Sequence, residues 1–341
     1  MKEVQTVKNT TEVQFSAIAR DVYFGHILLA LLGLEYPTIK FPIPGAITGT
    51  FVEGETVTES TSLAVGVLRR LDSGGSSKAL YLSVTSGTFT GGQTLTGGTS
   101  GATATGGTIE APSALRHHVF RRLNTNTPVT YTLYGSDPVS DDRALYCALD
   151  SLEFECVVGD FAKFTANFMG KKLASTSAQT PTFTTQYPFL AKDATAKLAS
   201  AFTGLDAASA VAIERLSLNF SKNLVDFTAF GSTDPASFHN QDFGEITGQI
   251  TLLYNATTQR DFVINSTKQA LRLTIANTTG IGAGSFPTLQ FDLPSVGFRE
   301  FSRTSENGGL VKQTLNFTAE YDTTRALTAE ALLTNTRVAA Y

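Results

Sequence analysis

The chain has 341 residues, 42% of them apolar and only 16% charged, with a formal net charge of -4 and no tryptophan. That length and apolar share are enough for two cored domains plus an insertion. So few charges leave a surface dressed in Thr, Ser, Asn, Gln and Gly, and the acidic balance argues against electrostatic gripping of nucleic acid.

The N-terminus, MKEVQTVKNTTEVQ, is polar and unlike a signal peptide, so the chain is expected to be cytosolic where it is made. DVYFGHILLALLG (Asp21 to Gly33) predicts a helix with a capping Asp21 and a terminal Gly33. The longest apolar run, Tyr23 to Leu34, is broken by His26 and two glycines and is too short to span a bilayer. No membrane association is expected.

Further along, GTFVEGETVTESTSLAVG (Gly49 to Gly66) aligns without gaps on GTFTGGQTLTGGTSGATA (Gly87 to Ala104), with 9 of 18 positions identical. Conserving a Phe, a Gly and an alternating Thr run between the two copies predicts strand, tight turn and strand, hence a small repeated β module. A phosphate-binding loop is excluded, because no G-x-x-x-x-G-K-[ST] occurs and the next lysine is Lys163. His117 and His118 in LRHHVFRRL are adjacent, and on a strand they point to opposite sides, so they do not suit one metal. His26 and His239 have no Cys, Asp or Glu at ligand spacing. No metal or cofactor is expected. The basic doublets Arg69/Arg70, Arg121/Arg122 and Lys171/Lys172 predict solvated surface or subunit contacts.

From Val129 onward the pattern is overwhelmingly β. Val129 to Gly135, Leu152 to Val158, Phe161 to Phe168, Arg215 to Ser221, Glu245 to Tyr254, Ala270 to Ala276, Thr288 to Leu293 and Leu310 to Tyr321 alternate with period two and favour β-branched and aromatic residues. In the last of these, Thr314, Asn316, Thr318 and Glu320 share a wet face, opposite Leu315, Phe317 and Ala319. SDPVSDDR (Ser136 to Arg143) is turn sequence whose aspartates serve the backbone. Cys147 and Cys156 predict small core residues rather than a bridge. GIGAG (Gly280 to Gly284) predicts a hairpin loop. Further helices are expected at Lys192 to Phe202, Thr258 to Lys268 and in TRALTAEALLTN near the C-terminus.

A second, weaker repeat spans the chain. Leu149 to Lys171 is similar to Leu293 to Glu320, each with an L-x-S start, a strand, a turn and a strand built on F-T-A. The stretch VQFSAIARDVYFGHILLALLG is likewise similar to ITGQITLLYNATTQRDFVINSTKQAL, a strand followed by a short helix. The expected organisation is a first domain formed by residues 1–46 and 111–173, an inserted β module at 47–110, a linker at 174–191 and a second domain at 192–341. The first half lacks a counterpart of Ile213 to Pro235. The insertion, closing on itself, is expected to be removable without loss of the fold.

TPVTYTLYGSDP (Thr127 to Pro138), DSLEFECVVGDFAKFTANFMGKKL (Asp150 to Leu173), IERLSLNFSKNLVDFTAFGSTDPASF (Ile213 to Phe238) and the C-terminal LPSVGFREFSRTSENGGLVKQTLNFTAEYD together resemble the major tail tube protein of a long-tailed bacteriophage. That resemblance implies a mainly β fold, with two tandem tail-tube-type β sandwiches, flanking short helices and a small inserted β-barrel-like module. It implies a structural virion protein of the tail rather than an enzyme, assembled in the host cytoplasm as stacked rings that conduct DNA without binding it specifically. Two domains per chain imply three chains per pseudo-six-fold ring. The implied partners are further copies of itself and the tail terminator, tape measure and tail tip proteins. Glu153, Glu155, Thr314, Asn316, Thr318 and Glu320 are the candidate lumen-facing residues. The alternative is a β-rich surface binding module, such as a tail fibre or carbohydrate-binding adhesin, against which the absence of Trp weighs.

Overall fold

The structure, a computed structural model, describes residues 9–74, 78–109, 115–241, 244–282, 284–304 and 309–341. Residues 1–8, the expected boundary at 110/111 and Ala283 of the glycine loop lie outside them. The first elements are β1 (Thr10–Ile18), α1 (Phe24–Leu32), β2 (Gly33–Ile43), β3 (Ile47–Thr48), β4 (Thr56–Glu59), β5 (Val65–Asp72), β6 (Lys78–Ser86), β7 (Thr94–Gly97) and β8 (Thr103–Thr105). There follow β9 (Arg116–Arg122), β10 (Thr130–Ser136), β11 (Asp141–Val157), β12 (Lys163–Lys171), β13 (Leu173–Ser175), β14 (Ala194–Ala199), β15 (Ala210–Val211), β16 (Ile213–Ser221), β17 (Leu224–Phe227) and β18 (Ser237–Asn240). The chain ends with β19 (Glu245–Leu253), α2 (Thr258–Ile264), β20 (Gln269–Ala276), β21 (Thr288–Thr304), β22 (Lys312–Ala319) and β23 (Glu330–Asn335).

The first sheet runs β1-β12-β11-β16-β19-β22-β21, antiparallel throughout. The long-range repeat is visible in it. β1, β12 and β11 form one antiparallel triple, β19, β22 and β21 form another, and β16 joins them. The second sheet runs β14-β20-β21-β23-β9-β2. β21 belongs to both, since its first half pairs with β20 and β23 and its second half, from Val296 on, with β22, across an irregularity at Phe298/Glu300. Between the sheets lies one apolar cluster drawing on both halves of the chain, including Leu28, Phe154, Phe168, Leu218, Phe291 and Phe317. α1 plugs it, with the Phe24 ring 5.0 Å from Phe164 and 5.8 Å from Phe154. The helix ends at Gly33 in the left-handed conformation, as expected. Asp21 does not cap it; the carboxylate accepts from the Tyr187 N–H at 2.7 Å and ties down the 174–191 segment instead.

Two expected helices are strands. Lys192 to Phe202 contains β14, whose Ala194 to Ala199 pair with β20. The C-terminal stretch contains β23, whose six residues are all buried between β21 and β9. Alanine and leucine favour helix locally, but both segments fill slots in a sheet, and tertiary pairing overrides weak intrinsic preference.

The second half of β2 leaves the second sheet to pair with β6, which continues through β5, β4, β7, β8 and β3. This module has its own core around Phe41, Phe51, Leu68, Leu82 and Phe89. Its repeat is a local pseudo-dyad: Thr58 pairs with Thr96, the equivalent residue of the other copy. Gly49 and Gly87 both have positive φ, and each lies against the Ala of the opposite copy, Ala102 and Ala64.

Candidate functional site

Directly opposed residues of antiparallel strands share a face, so the first sheet's register can be read as rows across it. One row holds Ser16, Thr165, Glu153, Asn219, Thr247 and Thr318. The next holds Lys163, Glu155, Ser217, Gln249, Asn316 and Glu300. A third holds Arg215, Thr251, Thr314 and Ser302. The structure therefore brings five of the six candidate residues onto one polar wall built by both repeats. Glu320 follows β22 at the edge of this wall, where its carboxylate meets Lys268 Nζ at 2.5 Å.

The wall is knit by short-range polar contacts. Gln249 Nε2 donates to Asn316 Oδ1 at 2.9 Å, Asn316 Nδ2 to Glu300 Oε2 at 2.7 Å, and Asn167 Nδ2 to Ser151 Oγ at 2.8 Å. Two of its cations are matched: Arg215 lies 2.5 Å from Glu155, and Lys163 pairs with Asp160, while the exposed Arg299 stands among Asn219, Thr247, Glu300 and Asn316. Among the described residues no cation pairs with Glu153. Sequence reasoning named the wall only on β11 and β22. The same alternation in β1, β12, β16 and β19 carried the signal for Ser16, Thr165, Asn219, Thr247 and Gln249.

A second constellation went unforeseen. Arg70 of the module is fully buried, with Nη1 2.6 Å from Asp292 Oδ2 and 2.5 Å from Glu330 Oε1. Arg121 donates Nε to Glu330 at 2.6 Å and Nη2 to Glu53 at 2.7 Å, and Arg272 donates Nε to Asp292 at 2.6 Å. Burial pushes the Asp292 and Glu330 carboxyls up, and the surrounding guanidiniums more than reverse that, leaving both below the ordinary range. Glu53 and Arg70 belong to the module, Asp292 and Glu330 to the second sheet, so the network bolts one to the other. The expectation that Arg69/Arg70 and Arg121/Arg122 are solvated surface or subunit contacts is corrected for Arg70 and Arg121, whose guanidiniums serve this network within the chain. Successive strand residues face opposite sides, and one arginine of each doublet turns inward while Arg69, for example, stacks on Tyr36 at 3.9 Å.

The remaining singled-out residues serve the fold. His117 Nδ1 meets Thr334 Oγ1 at 2.8 Å, while His118 Nδ1 meets Glu35 Oε1 at 2.7 Å. Asp137 accepts from the N–H groups of Val139 and Ser140, closing the β10–β11 turn. Cys147 and Cys156 are buried free thiols, and burial pushes the Cys156 thiol up to about 11. No helix among the described residues is long and apolar enough to cross a membrane.

Filled core, polar wall and buried bolts together define a β-rich structural chain. It belongs to the phage tail tube protein family: the family model of that description matches residues 41–319, from the module through β22. It is thus a structural tail tube protein, a component of the virion tail. No curated protein matches the chain. A solved structure titled "Crystal structure of Hcp protein" is similar over 40% of this chain and 96% of that one, with 9% identity and a TM-score of 0.23. No finding supports the surface-binding reading.

Proposed function

We propose that three chains close into a ring whose first sheets form the inner wall, with the face carrying Glu153, Glu155, Thr314, Asn316 and Thr318 toward the lumen. The observation that carries this reading is the continuity of one polar wall across both repeats: each chain supplies two equivalent triples, so three chains supply six. A polar, weakly acidic wall lets a polyanion pass. Arg215 and Lys163 are matched by carboxylates, and Arg299 stands beside Glu300, so little counterion release rewards binding. Screening confines repulsion by Glu153 to within about 10 Å at 0.1 M salt, enough to keep DNA off the wall and little more. Assembly takes place in the host cytoplasm, with further copies of the chain and the tail terminator, tape measure and tail tip proteins as partners.

Native mass spectrometry of isolated rings is expected to give three chains. Rings of six chains, or a protein that stays monomeric under all conditions, would overturn the reading.

A further inference from the structure

The strands of the first sheet end in two different surfaces. At one end, beyond the row Gln14, Asn167, Ser151, Ser221 and Glu245, β16 runs into the β17–β18 hairpin. Leu224 and Phe238 anchor this hairpin on Ala148, and the Leu224 N–H donates to Asp150 Oδ1 at 3.0 Å. Its tip is held near the start of β1, where the Asn9 N–H donates to Thr233 O at 2.8 Å and Asn9 Nδ2 to Asp234 Oδ1 at 3.0 Å. The hairpin thus lies across the ends of the first triple. Its outward side shows Phe227, 58% exposed, and Phe230, fully exposed. Bare phenylalanines on a fixed hairpin mark a contact surface. Glu12, Asp226, Asp234 and Glu245 belong to this end, as do the exposed Lys172 and the half-buried Lys171, which pairs with Thr10 and lies 5.0 Å from the Tyr146 ring that stacks on Phe238; carboxylates outnumber these two lysines.

The opposite end consists of the β11–β12 turn, the end of β19 and the start of β22. It exposes Val158, Leu253 and Leu310. Around them stand Lys163, Arg215 and Lys312, each half-exposed beside one carboxylate (Asp160, Glu155 and Glu214), and the exposed Arg303, stacked on Tyr254. Both ends expose apolar side chains; the hairpin end carries more carboxylates than lysines, and the opposite end carries Arg303 in addition to three matched ion pairs, so the two complement each other by a small charge difference.

We infer that the hairpin end, through Phe227 and Phe230, docks on the Val158, Leu253 and Leu310 end of a copy in the next ring. The inference rests on the tube reading and assigns its stacking contact. Contact between two different surfaces of one molecule is heterologous, and because they sit at opposite ends of the same strands it repeats without closing, which is how a stack grows. Apolar side chains leaving water supply the affinity, and the charge complement sets the polarity.

The test uses two double variants of the full chain, Phe227→Ser with Phe230→Ser, and Val158→Asp with Leu310→Asp. All four positions are exposed, so melting curves of the unassembled chains should match wild type. Each variant alone should form rings that do not stack, by electron microscopy and sedimentation. Mixed, the two should give pairs of rings and nothing longer, because the intact end of one variant fits only the intact end of the other. Either variant building tubes of wild-type length, or losing rings as well as tubes, would overturn the stacking assignment while leaving the tube reading in place. A wild-type chain that forms neither rings nor tubes would instead remove the reading on which it rests.

Discussion

Two glutamates hold the inserted module together. Glu55 accepts from the N–H groups of Val52, Thr99 and Ser100 and from Ser100 Oγ. Glu59 accepts from the N–H groups of Thr90 and Gly91 and from the hydroxyls of Thr90 and Ser62. Under the pseudo-dyad, Val52 corresponds to Thr90 and Ser62 to Ser100, so each carboxylate stitches a turn of one copy to a turn of the other. Burial pushes both carboxyls up, and these hydrogen bonds more than reverse it, leaving both below the ordinary glutamate range. A carboxyl that is more acidic folded than unfolded adds stability above its unfolded pKa, and that stability is lost as pH falls through the folded one. Acid should therefore loosen the module, and Glu59→Ala should flatten that part of the acid dependence, as read by melting temperature against pH. The same variant strands buried N–H groups, and chemical denaturation should show a loss of about 2–4 kcal/mol.

Among the elements, the module is the one whose role changes most when contacts replace sequence. A self-closing repeat suggests a removable decoration. Yet the second half of β2 supplies Phe41 and Ile43 to the module core, and Arg70 neutralises Asp292 and Glu330 in the second sheet. Cutting out residues 47–110 exposes the first pair and takes one cation from each of the second, leaving Asp292 to Arg272 and Glu330 to Arg121. Removing one partner of a buried ionic group costs about 3–5 kcal/mol. Arg70→Met alone should then lower stability by that order, and the excised chain should fail to yield soluble folded protein. An excised chain with a wild-type circular dichroism spectrum and melting temperature would show that the bolts are dispensable. β14 and β23 teach the complementary lesson: alanine-rich, leucine-rich segments become strands where a sheet has places for them between β20, β21 and β9.

For the whole molecule, the charge pattern of the polar wall selects the informative variant. Glu155 is committed to Arg215 and Glu320 to Lys268, so reversing either also breaks an ion pair. Glu153 is exposed beside Thr165 and Asn219, and Glu153→Lys changes the wall's charge with little cost to the fold. Under the proposed function it plants a ring of cations in every layer. Each neutralised duplex phosphate makes log K fall by about 0.9 per decade of salt, and the layers sum. Virions carrying Glu153→Lys should form tubes of normal length but eject DNA slowly, with the defect deepening at low salt. Wild-type ejection rates at low salt would place Glu153 away from the DNA path.

Much of this was legible in the sequence because it is local or periodic. Alternation in β10, β11, β12, β16, β19, β20, β21 and β22 marks the strands, since a strand with one wet face must repeat every second residue. Identity between Gly49–Gly66 and Gly87–Ala104 marks the module, because a dyad needs like residues at like places. The similarity of the two long segments anticipated the triples β1-β12-β11 and β19-β22-β21, and with them the kind of wall. Which strand lies beside which is another matter, since sheet neighbours such as β11 and β16, or β23 and β9, are set by packing between residues far apart in the chain. For that reason only the tertiary structure gathered Glu153, Asn219, Thr247 and Thr318 into one row, turned Arg70 and Arg121 inward to carboxylates more than 200 positions away, and laid Phe227 and Phe230 bare at one end of the sheet.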